Sequence, residues 1–210
     1  MQKIVSTIAV VLLTAMTMNA QDLERFPWLD TNKSFHERAK LLVNELTLRE
    51  KVDQLGNIVS EDITRKDANN QDYIILPHYQ YWNEAIHGVA RSGAATSFPE
   101  SKGMSATWDR ELIYDCASVT SDEARRYYLD TRKGLNYWSP TINMARDPRW
   151  GRMIEGAGED PFLGRQMARA IVEGFQGEAL DDPDSILACA KHFIAYGVAS
   201  PTPKKSSPTL

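Results

Sequence analysis

Cysteine is scarce in this 210-residue chain, which holds only Cys116 and Cys189. A disulfide scaffold needs more, so bridges do not organise the fold. Charge of one sign is also missing: 24 Lys and Arg against 28 Asp and Glu leave a net charge of −4. A general nucleic-acid binder shows a basic excess, and none exists here. Like-charge runs stop at pairs such as Arg125-Arg126 and Lys204-Lys205, so there is no charged tail. The four histidines, His36, His78, His87 and His192, show neither HExxH nor paired-Cys spacing, which speaks against a metal centre. Gly156-Ala-Gly158 meets Pro161 where a dinucleotide fingerprint needs its third glycine. No GxSxG elbow occurs.

What is present is ordinary globular material: 42% hydrophobic, 25% charged and 9% aromatic residues, with five Trp. The length suggests about one domain. The first twenty residues read differently. Lys3 precedes a mostly apolar stretch from Ile4 to Leu13, and Met18-Asn19-Ala20 follows. That is the pattern of a secretory signal peptide cleaved after Ala20. The alternative, a membrane anchor, needs about 20 apolar residues to cross a ~30 Å hydrocarbon core. Export, to a periplasm or to the outside, is the expected localisation. Export would permit a bridge, but both cysteines read as small buried residues, Cys116 on a helix and Cys189 in an apolar strand.

Capping-box patterns at Ser34-Phe-His-Glu37 and Thr47-Leu-Arg-Glu50 open two short helices, the second ending near Gly56. Ala39, Leu42, Val43 and Leu46 fall at helical spacing. Residues 60–72 read as a polar loop, and Ile74–Leu76 as a short strand stopped by Pro77. A helix is predicted from Arg110 to about Tyr128, with Leu112, Ile113, Cys116 and Val119 on one side. Leu135–Trp138 reads as a strand. Phe162–Phe175 reads as a helix, with Asp160-Pro161 at its start and Gly177 past its end. Ile186–Ala190 has the apolar run of a strand buried on both faces. Strands alternate with helices and no tight hairpin signal stands out, which predicts an α/β fold with a parallel sheet. Glu84 and His87, Asn143 and Arg146, and Lys191 and His192 each follow a predicted strand, so one rim could collect them. The last eleven residues, rich in Ser and Pro and without aromatics, cannot fill a core and read as disordered.

Three segments carry candidate chemistry. Asn143–Arg152 packs three Arg and Trp150 into ten residues, followed by Glu155, Glu159 and Asp160. Arginine forks suit carboxylates, phosphates or paired hydroxyls; the alternative is a solvated loop with internal ion pairs. Lys191-His192 offers two donors after a strand; the alternative is a strand end reaching solvent. Tyr79–Gly88 mixes Glu84, Asn83 and His87 with three aromatics, the mix a carbohydrate site needs. The alternative there is a core loop with His87 buried and hydrogen-bonded.

Taken together, the segments resemble the N-terminal part of glycoside hydrolase family 3. The matching pieces are Leu46-Thr-Leu-Arg-Glu-Lys-Val-Asp-Gln-Leu55, Trp82-Asn-Glu-Ala-Ile-His-Gly88, Thr96-Ser-Phe-Pro-Glu100, Arg146-Asp-Pro-Arg-Trp-Gly-Arg152, Gly158-Glu-Asp-Pro161 and Lys191-His-Phe-Ile-Ala-Tyr-Gly197. The resemblance implies a (β/α)8 TIM-type barrel, here incomplete, with the N-terminal five or six β/α units in residues 21–197. Residues 198–210 would be a tail outside the family pattern. It implies retaining hydrolysis of β-linked sugars from the non-reducing end, without a cofactor. Glu84, Arg152, Lys191 and His192 should line the subsite for the terminal sugar, with Glu84 accepting hydrogen bonds from hydroxyls and the other three donating them. Trp150 would pack behind the Arg loop. Ala90, where glucosidase-type members tend to carry Arg, leans toward β-xylosidases, although Arg91 stands one position away. Ile194-Ala-Tyr-Gly197 argues against the N-acetylglucosamine branch. The nucleophile and the acid/base residue are expected beyond this chain, so hydrolysis is expected of a longer parent and not of these residues alone. A sugar-binding fragment without catalysis, or a non-functional product, are the competing readings. The partner is an oligosaccharide, xylo- or gluco-configured.

Overall fold

The computed structural model describes residues 20–56, 59–131, 134–177, 182, 184–193 and 195–197. The apolar N-terminal stretch and the tail from 198 lie outside the described residues. The chain divides into two compact units, one of residues 1–56 with 60–78, the other of residues 57–59 with 79–210. Among the described residues no helix is long and apolar enough to cross a membrane.

The first unit runs through α1 (Ala20–Arg25), a 3-10 turn (Pro27–Leu29), α2 (Phe35–Glu45), α3 (Leu48–Asp53), β2 (Ile63–Lys66) and β3 (Asp72–Leu76); a two-residue strand β1 (Val59–Ser60) precedes β2 in the chain. Both predicted capping boxes form. Ser34 accepts the Glu37 N–H at 3.3 Å while the Glu37 carboxylate takes the Ser34 N–H at 2.9 Å. Thr47 and Glu50 repeat this at 3.3 and 2.8 Å. Glu50 also receives the Arg65 guanidinium from β2 at 2.7 and 2.9 Å. That hydrogen bond and the Thr47 N–H lower its carboxyl to about 2. Trp28, Leu46, Ile63 and Ile75 make the small core, with Leu42 against it, while Val43 of the predicted face is exposed.

The predicted loop over 60–72 is instead half of a hairpin. β2 pairs antiparallel with β3, Thr64 opposite Ile74 and Lys66 opposite Asp72. The turn is built by Asp67, whose carboxylate takes the N–H groups of Asn69 and Gln71, both at 2.9 Å, with Asn70 at φ 61°. Asp and Asn make such turns by side-chain hydrogen bonding.

The second unit contains β4 (Tyr79–Gln80), α4 (Ser101–Ser105), α5 (Arg110–Thr131), β5 (Asn136–Tyr137), a 3-10 turn (Met153–Glu155), α6 (Pro161–Gln176) and β6 (Leu187–Ala188). Asp160 caps α6 by accepting the Phe162 N–H at 2.8 Å, with Pro161 in the first turn as expected. Leu163, Met167, Ala170 and Gly174 form its buried stripe. α5 meets α6 closely. At Gly174 a Cβ would lie 2.6 Å from Ala117 Cβ and 2.7 Å from the Tyr114 carbonyl. That approach explains why α5 buries Ala117, Thr120, Ser121 and Ala124 along with Ile113. Of the expected face, Leu112 and Val119 are exposed instead. Helices this close admit small residues only.

β5 and β6 pair in parallel, Asn136 opposite Leu187 and Tyr137 opposite Ala188. A bridge between Thr141 and Lys191 continues the pairing. The end of α6 borders β6: Ile186 N–H donates to Phe175 O at 2.8 Å and Ala188 N–H to the Gln176 side chain at 3.1 Å. Ile186 is buried, but Leu187, Cys189 and Ala190 are exposed. β6 is thus covered on one face, not both, and Cys189 is not a buried residue. Cys116 is partly buried, and both thiols are free. The unit is α/β with few strands. β5 and β6 are a parallel pair, and the five or six β/α units of a barrel are not seen as strands among the described residues.

Candidate functional site

Three segments of the second unit supply the site. The first follows β4. Asn83, 2% exposed, donates from its amide to Gln80 O at 2.9 Å and Asn136 O at 3.1 Å, which ties this loop to β5. Glu84 next to it is held from two sides. Trp82 Nε1–H donates to Oε1 at 2.7 Å, and Lys191 Nζ stands 3.3 Å from Oε2. Burial pushes the Glu84 carboxyl up. The Trp82 hydrogen bond and the charges of Lys191 and Arg91 outweigh it, so the group lies below its ordinary range. Gly88 turns the loop at φ 118°, with the Thr96 carbonyl 2.1 Å from where a Cβ would stand, so only glycine fits. His87 is partly buried, its Nδ1 3.0 Å from Phe98 O and its Nε2 3.5 Å from Glu100. It is a hydrogen-bonded loop histidine that also lines a cleft.

The second segment follows β6. Lys191 is 8% exposed, and its backbone is fixed by Pro140 O at 2.9 Å and the Ile142 N–H at 2.7 Å. The peptide bonds Ser139-Pro140 and Lys191-His192 are cis. His192 is locked by Asn143, whose Oδ1 lies 2.9 Å from the His192 backbone N–H and 2.8 Å from Nδ1. The Asn143 amide nitrogen donates to Tyr196 O, which sets Oδ1 as the acceptor. This network assigns a proton to Nδ1, so Nε2 of the neutral ring is an acceptor. Burial, then the charges of Arg152 and Lys191, hold the ring below the ordinary 6.5.

The third segment is the Arg loop. Trp150 is buried and its ring meets Tyr196 edge-on at 5.8 Å, the packing role expected of it. Asp147 binds the exposed Arg149 at 2.9 and 2.7 Å. Arg152 forms a forked pair with Glu155, Nε to Oε1 at 2.6 Å, and its guanidinium lies 5.6 Å from the Tyr196 ring centre. Glu155 raises the Arg152 guanidinium well above its ordinary value. The loop thus carries internal ion pairs, the alternative raised for it, with Arg152 also against the Tyr196 ring.

Of the four predicted residues, Glu84 and Lys191 are in contact, while Lys191 and Arg152 line neither of the clefts described next. Glu84 touches Lys191, His192 follows it, and the charges of Arg152, Lys191, Glu155 and Glu84 all act on His192. Glu84, His87, Glu100 and Glu155 line a cleft of about 490 Å³. Asn143, Arg146, His192 and Tyr196 line another of about 550 Å³. Either is large enough for a small ligand. The contributions of Tyr196, and of Trp82 as a hydrogen-bond donor, were not predicted. No local signal marks Tyr196, whose partner Asn143 lies 53 residues away.

Both depressed groups work in one direction with pH. A group bound less tightly by protons in the fold than in the unfolded chain stabilises fully above its unfolded value and loses that contribution as pH falls through the folded one. Unfolding free energy should therefore decline below about pH 6.5 through His192 and again below about 4.5 through Glu84. Urea titrations across pH 3–8 check this. His192→Gln should flatten the upper step and Glu84→Gln reduce the lower, to which Glu50 and Asp147 also contribute; unchanged profiles would refute the assignment.

Comparison with known proteins finds relatives for the chain. Residues 80–209 match the family described as Glycosyl hydrolase family 3 N terminal domain. A Beta-xylosidase/alpha-L-arabinofuranosidase 1 of Medicago sativa subsp. varia is 38% identical over 191 residues, covering 84% of this chain and 23% of that protein. An Exo-1,4-beta-xylosidase of Emericella nidulans is 37% identical, covering 83% and 23%. The structure of a GH3 exo-beta-xylosidase in complex with a xylobiose aziridine activity-based probe superposes with a TM-score of 0.72 at 32% identity, over 85% of this chain and 23% of that one. The chain thus spans about a quarter of the length of these relatives.

Proposed function

The chain belongs to glycosyl hydrolase family 3, and from that premise we propose that its second unit forms the sugar-gripping side of a β-glycosidase site, β-xylosides before β-glucosides. The observation that carries this reading is the contact of Glu84 with Lys191, with His192 next in the chain and the charge of Arg152 acting on it. A pyranose presents several hydroxyls that need both donors and acceptors. Glu84, charged at neutral pH, accepts from them. Lys191 donates. Arg152 spends Nε and one amino group on Glu155 and also meets Tyr196, and an N–H beyond these is left to donate to sugar. His192 as a neutral ring accepts at Nε2, which reverses the donor role the resemblance implies.

The xylosidase preference rests on the relatives and on Ala90, with the neighbouring Arg91 guanidinium lying 4.1 Å over the Trp82 ring. The whole protein is read as an exported glycosidase with a family barrel, of which this chain supplies the N-terminal part. Retaining hydrolysis needs two carboxyl groups about 5–5.5 Å apart with free chemistry. Glu84 and Glu155 are each committed to a cation. The chain alone is therefore expected to bind sugar without cleaving it.

The test is calorimetric titration of the chain with xylose and xylobiose, beside a 4-nitrophenyl β-D-xyloside assay. Binding without turnover is expected, weakened roughly tenfold or more by Glu84→Gln through loss of a charged acceptor. Absence of binding by the folded chain would overturn the site, and turnover lost in Glu84→Gln would overturn the non-catalytic reading.

A further inference from the structure

The loop that carries Glu84 contains a second arrangement. The Trp82 ring stacks on Trp138, centres 5.7 Å apart and planes 13° from parallel. Such offset stacking is a favoured geometry for aromatic pairs. The same ring carries the Arg91 guanidinium 4.1 Å from its centre, within the range where a cation is attracted by the ring face. Arg91 sits at φ 66°, a left-handed conformation that a side chain rarely adopts without compensation. The edge of this indole holds the Nε1–H that donates to Glu84 at 2.7 Å. Trp138 in turn is anchored, its backbone N–H donating to Asn83 O at 2.8 Å.

We propose that Arg91 is a positioning residue: with Trp138 it fixes the Trp82 indole, and through the indole N–H it sets the orientation of Glu84. The inference rests on the reading of Glu84 as the sugar's acceptor, but its mechanism is independent of sugar. A guanidinium over the ring draws electron density from the indole and makes its N–H a stronger donor to a carboxylate. The groups that bear on Glu84 are then Trp82 and Arg91 from its own loop and Lys191 from the segment after β6, with His192 coupled to it.

The experiment follows the Trp82 indole N–H cross-peak in ¹H–¹⁵N NMR spectra of the chain through a pH titration, without ligand. Trp82→Phe identifies the peak by its loss. In the unsubstituted chain the peak should titrate with a midpoint below the ordinary carboxylate range. Arg91→Gln should shift the peak and raise the midpoint by roughly half to one unit, with Arg91→Lys, which keeps the charge, lying between. Circular dichroism confirms folding, and Arg91→Lys decides the matter if Arg91→Gln does not fold. An unchanged indole peak in the folded variants would overturn the proposal even if the midpoint moves, because the Arg91 charge also acts on Glu84 directly. Xylose titration of the same samples separates the two readings: unaltered NMR behaviour with sugar binding leaves the site standing and removes Arg91, whereas the NMR shifts without any sugar binding leave Arg91 standing and remove the site's function.

Discussion

Lys191→Met is expected to cost about 2 kcal/mol of stability and to abolish sugar binding. Removing one partner of a buried ion pair costs about 3–5 kcal/mol, because the other charge is left without compensation. Lys191 is nearly enclosed, with its side chain 9% exposed, while the Glu84 side chain is 21% exposed and keeps the Trp82 hydrogen bond. Water reaches the carboxylate in part, which reduces the penalty. Methionine fills the space of the lysine stem, so packing is retained and the loss reports charge. Urea unfolding of Lys191→Met, Glu84→Gln and the double variant closes a cycle. The double variant should be more stable than the sum of the two losses predicts, by about 1 kcal/mol or more. Additive losses would show that the two side chains do not act on each other.

Gly174→Val is expected to destabilise the second unit by about 3 kcal/mol. A Cβ at this position lies 2.6 Å from Ala117 Cβ, 2.7 Å from Tyr114 O and 3.1 Å from Ser118 N. Two of these atoms are backbone of α5 and cannot swing aside, so the helices must separate. Overpacking of this kind costs about 1–3 kcal/mol, and valine adds a rigid branch. Gly164→Ala on the same helix is the control. Nothing lies within 4 Å of its Cβ position, so alanine should gain about 0.5–1 kcal/mol from helix propensity. Denaturation curves of both should move in opposite directions. If both stabilise, α5 and α6 are not as close as described.

Local signals in the chain were read well where one short segment decides its own conformation. Ser34 with Glu37, Thr47 with Glu50, and Asp160 before Pro161 mark helix starts because the side chain satisfies nearby backbone N–H groups. The hairpin at Asp67 was missed because β2, Ile63-Thr-Arg-Lys66, shows little apolar alternation and takes its partner from β3. The face of α5 was misassigned because Leu112 and Val119 are more apolar than Ala117 and Ala124, while the neighbouring helix selects for size. Motifs singled out Glu84, Arg152, Lys191 and His192, and of these the structure puts Glu84 against Lys191, with the charge of Arg152 acting on His192. What joins them was not legible. Asn143 bridging His192 and Tyr196, and Glu155 gripping Arg152, are decided by chain segments meeting in space.

Glu50 serves two structures with one carboxylate. It closes the capping box of α3 and receives Arg65 of β2. A helix start usually frays on its own, being the least cooperative part of its helix. Here fraying would release Arg65, and loosening of the hairpin would expose the helix start. Each motion carries the cost of the other, so the first turn of α3 and strand β2 open together or not at all. Among the described residues of this unit only Trp28, Leu46, Ile63 and Ile75 are buried in the core, and the shared carboxylate adds cohesion to that small cluster.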